Sequence, residues 1–129
     1  MINSKLENLI VLKKSKKRFN KTNFRNIREI SAQDRDHVKS VSYVLSFDHF
    51  QMEMHYYLDK TKEETLSLGI SVLEGEQIIS FDNSNPDYAP ILWEIYECIK
   101  NKKKDYEERE DWEKEKKQYQ ESKRLIRRL

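Results

Sequence analysis

Between Val41 and Leu58 apolar residues fall on every second position, and a side-chain period of two permits a half-buried strand but not a helix. Val41, Tyr43, Leu45 and Phe47 alternate with Ser42, Val44 and Ser46; Phe50, Met52, Met54, Tyr56 and Leu58 then alternate with His49, Gln51, Glu53, His55 and Tyr57. The pattern predicts two strands from Val38 onward, turning near Asp48 and His49. After the polar stretch Asp59 to Glu64, Leu66, Leu68, Ile70 and Val72 mark a third strand and Gln77 to Phe81 a fourth, with Glu74-Gly75-Glu76 as the hairpin turn between them. Four strands with short connections make an antiparallel meander with one apolar face. That face needs a cover.

The segment Asp82 to Asp87 supplies turn and cap residues, Pro90 suits a first helical turn, and Ile91, Leu92, Ile95, Cys98 and Ile99 form a helical stripe. This helix is the expected cover. No Gly or Pro occurs from Ile91 to Leu129, and Tyr106, Trp112, Tyr119 and Ile126 continue a sparse stripe among Lys and Glu. A continuous helix of that length extends about 60 Å, against about 23 Å for a seven-residue strand. Its distal half must therefore double back, meet a second chain, or stand in solvent supported by pairs such as Glu110 with Lys114 and Glu113 with Lys117.

At the other end, Ser4 and Glu7 fit a capping box and Leu6, Leu9, Ile10 and Lys13 follow a helical stripe. A short helix from about Lys5 is expected, fading where like charges crowd. Phe24, Ile27 and Ile30 recur at a spacing of three and predict one or two further helical turns. The expected fold is α+β: a four-stranded antiparallel meander covered by a long C-terminal helix, with a short N-terminal helix and basic arm. Length argues for a single domain over residues 1–129, organised as helix and arm (1–37), sheet and core helix (38–99), and charged helical extension (100–129).

The sharpest functional signal is the run from Lys13 to Arg28, which carries eight positive charges and no acid. Lys13, Lys14, Lys16, Lys17, Arg18, Lys21 and Arg25 would contact phosphates and release counterions, and Phe19 and Phe24 would stack on bases. Interleaved aromatics suit single-stranded or RNA ligands better than duplex grooves. The plain alternative is a flexible solvated tail. No zinc-finger spacing or RNP-type aromatic motif is present, so sequence-specific readout is not implied.

Charge is segregated along the chain. Residues 1–45 hold eleven Lys/Arg against four acids, 46–97 two against eleven, and 98–129 twelve against eight, which sums to the net +2 of the whole. A near-neutral total hides a polarised molecule. The acidic middle suits soluble loops and sheet edges, or a surface that imitates phosphates toward a basic partner.

Catalytic motifs do not emerge. Gly69 and Gly75 are the only glycines, so no glycine-rich phosphate loop exists, and no Ser or Cys sits in a nucleophile motif. Cys98, the single cysteine, falls on an apolar stripe and reads as a small core residue. His49, Glu53 and His55 share one parity of a strand, and with His37 they would approach a metal or acid/base site; the plain reading is a solvated sheet face. No metal or cofactor is expected.

A single cysteine permits no intrachain disulfide, and the longest apolar run, Leu9 to Leu12, is far short of the roughly 20 residues that span a bilayer. A cytoplasmic protein with no membrane association is expected. Few glycines and prolines beside abundant Lys, Asn, Ile and Glu resemble the usage of AT-rich bacterial or phage genomes.

The functional expectation is a small non-catalytic nucleic-acid-binding accessory protein, from a plasmid, phage or other mobile element. It would contact phosphates through the basic arm and a protein partner, or a second copy weakly, through Trp112, Tyr119, Arg124, Arg127 and Arg128 on the C-terminal helix. The rival expectation is an inhibitor or immunity-type protein presenting its acidic sheet edge and charged helix to a basic partner.

Overall fold

A computed structural model describes residues 4–36, 38–72 and 76–128. Helix α1 (Ser4–Lys21) leads through a 3₁₀ turn (Phe24–Asn26) into strands β1 (Arg28–Arg35), β2 (Val38–Ser46), β3 (Phe50–Leu58), β4 (Glu64–Val72) and β5 (Gln77–Asp82), and helix α2 (Ala89–Arg128) closes the chain. The strands pair antiparallel in sequence order, so the architecture is an α+β meander whose apolar face is covered by helices.

Register follows the alternation seen in the sequence. Tyr43 pairs with Met54, Met54 with Leu68, and Leu68 with Phe81, which puts one row of large apolar side chains across four strands. Each of these side chains is buried. Leu92, Ile95 and Ile99, spaced by three and four along α2, are fully buried above that face, with Pro90 in the helix's first turn. From α1 the buried residues are Leu12, Ser15 and Phe19. Ser15 tolerates burial because its hydroxyl donates to the Val11 carbonyl at 2.8 Å.

The sheet has five strands where the alternation predicts four. The additional strand, β1, begins at Arg28, inside the stretch Phe24 to Ile30 where one or two helical turns are expected, and only the 3₁₀ turn at Phe24–Asn26 is helical there. Apolar residues are too sparse in Arg28–Arg35 to announce a strand, and its pairing with β2 is irregular between Ile30 and Gln33. Edge strands carry this kind of composition, because one side of their backbone faces no partner. Asp36, at φ 52°, leads the tight return to β2, a position that aspartate tolerates better than most residues.

The basic segment is likewise not an arm. Helix α1 runs unbroken to Lys21, so the helix expected to fade into the basic segment carries six of its eight cations. Anchoring of one face by Leu12, Ser15 and Phe19 offsets the repulsion on the other. The expected capping side chain of Ser4 and most of the Glu74-Gly75-Glu76 turn lie outside the described residues.

Turn chemistry fixes the loops. The Asp59 carboxylate accepts from the Thr61 and Glu63 backbone N–H groups at 2.8 and 3.0 Å and from the Thr61 hydroxyl at 2.6 Å. After β5, Asn83 continues the sheet with its side chain: its Oδ1 accepts from Leu66 N at 3.2 Å and its Nδ2 donates to the Glu64 carbonyl at 3.0 Å.

Candidate nucleic-acid interface

Placing three residues of α1 in the core assigns every other position on the helix. With about 100° per residue, Lys13, Lys14, Lys17 and Lys21 fall opposite the buried Leu12, Ser15 and Phe19. All four lysines are exposed. Lys13, Lys17 and Lys21 succeed one another at about 6 Å along the axis, so the ridge extends about 12 Å; Arg25 and Arg28, in the 3₁₀ turn and β1, are exposed as well. Among the described residues none of the four lysines has a carboxylate within ion-pair distance.

The other basic residues of the run have different tasks. Lys16 Nζ lies 2.5 Å from Glu94 Oε2, pairing α1 to α2. The Arg18 guanidinium sits 4.8 Å from the Phe47 ring centroid and 5.5 Å from that of Phe50, over a stacked pair at the β2–β3 turn. Arg25 is exposed beside Phe24, whose ring centroid is 5.5 Å from that of Tyr106 on α2.

The two phenylalanines do not sit as stacking groups. Phe19 is fully buried, and Phe24 is half-buried against Tyr106. Phe19 turns inward because it lies on the buried side of α1, and Phe24, past the end of that helix in the 3₁₀ turn, turns against Tyr106 of α2. The base-stacking role expected for Phe19 is therefore corrected to a core role, and the preference for single strands loses one of the two residues that motivate it, the other, Phe24, being half-buried.

The C-terminal partner residues are all on α2 beyond its contact with the fold. Trp112 and Tyr119 are exposed to 62% and 61%, and Arg124 and Arg127 are also exposed. Arg128 ends the helix, and its side chain lies outside the described residues. Tyr106 meets Phe24 where α2 leaves the sheet-and-helix body, with Glu107 still bordering the cleft beside Tyr43 and Arg109 the one beside Phe24. No part of α2 doubles back, since it is one helix of 40 residues.

Folding also assembles lysines that are distant in sequence. Lys39 from β2 and Lys100, Lys103 and Lys104 from α2 border a cleft of about 320 Å³ that includes Tyr43 and Glu29. Lys103 Nζ pairs with Glu29 Oε2 at 2.7 Å, which reduces the basic character of this cleft. Alternate and third-position spacing on two separate elements gave no sequence signal for it.

On the sheet face away from the helices, Ser42 Oγ and His55 Nδ1 are hydrogen-bonded at 2.6 Å and His55 Nε2 is 3.4 Å from Glu53 Oε1. Glu53 and His55 border a cleft of about 380 Å³ with Gln51, Ser67 and Gln77. His49 precedes β3 in the turn and does not join them, and His37 lies outside the described residues. Among the described residues no three His, Cys, Asp or Glu side chains group as metal ligands. Cys98 is half-buried at the α1–α2 boundary, its Sγ 3.6 Å from Asn20 Oδ1, and so lies at the margin of the core rather than in it.

Several acids of the middle segment are engaged locally. Asp59 and Asp82 have carboxyls held below the usual carboxylate range, mainly by side-chain hydrogen bonds from Thr61 and Ser84. Asp87 pairs with Lys5 at 2.7 Å, and Glu64 accepts from the Tyr56 hydroxyl at 2.8 Å. Among the described residues no helix is long and apolar enough to cross a membrane. Comparison with protein-family models, curated proteins and solved structures gave no match.

Proposed function

We propose that this chain is a small non-catalytic nucleic-acid-binding accessory protein, of the kind carried by plasmids, phages or other mobile elements, and that it grips phosphates with the exposed ridge of α1. The observation that carries this reading is the line Lys13, Lys17 and Lys21, with Lys14 beside it: four exposed ammonium groups on one helix face, without acid partners among the described residues, on a helix whose other face is fixed in the core. A rigid row of cations loses less conformational freedom on meeting a polyanion than a flexible tail does. Contacts of this kind position a protein on the backbone and do not read sequence. With Phe19 in the core, binding rests on phosphate contacts, and duplex, single-stranded DNA and RNA are all ligands of the ridge.

The inhibitor or immunity-type reading has less support, because Asp59, Asp82, Asp87 and Glu64 each serve a turn, an ion pair or a hydrogen bond within the chain. Replacing Lys13, Lys17 and Lys21 together by Glu tests the proposal. Binding to DNA and RNA is expected to be abolished while the circular dichroism of the fold is retained; unchanged affinity would refute it.

A further inference from the structure

The part of α2 beyond Tyr106 continues for about 33 Å at 1.5 Å per residue, and each of its described side chains from Glu107 onward is exposed. Its charges are divided in two blocks. Residues 105–115 hold seven acids and two bases, and residues 116–128 hold six bases and one acid. Those blocks, at −5 and +5, make the overhang complementary to itself when reversed.

The apolar strip on this overhang is complementary in the same sense. Trp112, Tyr119 and Ile126, spaced by seven, lie within about 20° of one helix side, and Glu115 and Lys123 lie about 40° to either side of Tyr119. Trp112, Tyr119 and Ile126 are 62%, 61% and 69% exposed. Lys123 Nζ is 4.8 Å from the Tyr119 ring centroid, which places the lysine on this strip, and Lys116 Nζ lies 5.1 Å from that of Trp112.

We infer that the overhang docks a second copy of this chain antiparallel, on a two-fold axis through Tyr119. In that register Trp112 meets Ile126 of the second copy, Glu115 meets its Lys123, and Tyr119 meets Tyr119, each unlike contact occurring twice. A parallel pair would set Glu115 against Glu115 and Lys123 against Lys123, so like charges select against it. Sliding the antiparallel pair by one heptad keeps the charges matched but puts Ile126 opposite Asp105, leaving an apolar residue without an apolar partner. Three apolar layers make a short zipper, so the dimer is reversible and concentration-dependent. This inference does not depend on nucleic-acid binding, and either fails without the other.

Sedimentation equilibrium of the full chain across a range of concentrations tests it, with Glu115→Lys and the double variant Glu115→Lys/Lys123→Glu beside the wild type. The wild type is expected to show a monomer–dimer equilibrium in the micromolar range. Glu115→Lys replaces two attractive pairs by two repulsive ones and should weaken association about tenfold. The double variant restores the pairing and should return to within about threefold of wild type. Both variants carry the same lysine-rich turn at 114–117, so any loss of helicity there is common to both. A strictly monomeric wild type, a dimer indifferent to Glu115→Lys, as a parallel pair would be, or a double variant as weak as the single one, as the heptad-shifted pair would give, would overturn the inference.

Discussion

Lys102 of α2 donates from its Nζ to the main-chain carbonyls of Asn20 and Thr22, at 2.7 and 2.9 Å, and so caps the C-terminal end of α1 from another helix. The last carbonyls of a helix have no partner within it and carry the negative end of its dipole. Capping them holds the last turn of the lysine ridge, where Lys21 sits. Lys102→Met keeps the aliphatic stem and removes the charge, and should destabilise the fold by about 1–2 kcal/mol. A urea titration measures this. Lys104→Met, at an exposed position two residues on, should change stability by no more than about 0.5 kcal/mol.

Phe19 separates the packing role of α1 from its binding role. Its side chain is fully buried, so Phe19→Ala should cost about 3–5 kcal/mol in a denaturant unfolding experiment. Lys17→Ala, on the solvent side of the same helix, should leave stability within about 0.5 kcal/mol. Equal small effects at both positions would place Phe19 outside the core.

The contrast between these two positions also explains what the sequence makes legible. Strands β2 to β4 are visible because Val41 to Leu58 and Leu66 to Val72 alternate cleanly, and a period of two has one structural meaning. The long helix is visible because nothing from Ile91 onward interrupts it. Strand β1 is hidden because an edge strand needs no apolar run; its presence depends on backbone pairing with β2. Helix α1 beyond Lys13 is hidden because its buried stripe is only Leu12, Ser15 and Phe19, one of them polar, among six cations from Lys13 to Lys21. Local repulsion argues against that helix, and tertiary packing outweighs it. The identity of the basic residues at the candidate interface was therefore legible, whereas their arrangement and the fate of the phenylalanines were not.

Tyrosines at the helix–sheet boundary make stability sensitive to alkali. Tyr96 stacks on Tyr56 with centroids 4.6 Å apart and planes at 8°, and burial, followed by the charges of Glu97 and Glu64, pushes its hydroxyl up to about 12. Tyr43 and Tyr56 move in the same direction, mainly through burial. Unfolded tyrosine ionises near about 10, so above that pH the unfolded chain binds fewer protons than the folded one and stability falls as pH rises. The contribution is complete below about pH 10 and lost as pH climbs through about 12 for Tyr96. Urea midpoints measured across this range should fall, and less steeply in Tyr96→Phe. A flat profile would contradict the burial of these hydroxyls.

The central claim is that the α1 ridge neutralises phosphates, and the dependence of affinity on salt tests it most directly. Fluorescence anisotropy of labelled single-stranded DNA, RNA and duplex DNA, titrated with protein at several salt concentrations, gives the slope of log affinity against log salt. A ridge of four lysines predicts a linear fall with a slope of about −3 to −4, and Lys17→Ala should reduce its magnitude by about 1. Absence of binding at low salt, or a slope unchanged by Lys17→Ala, would contradict the account.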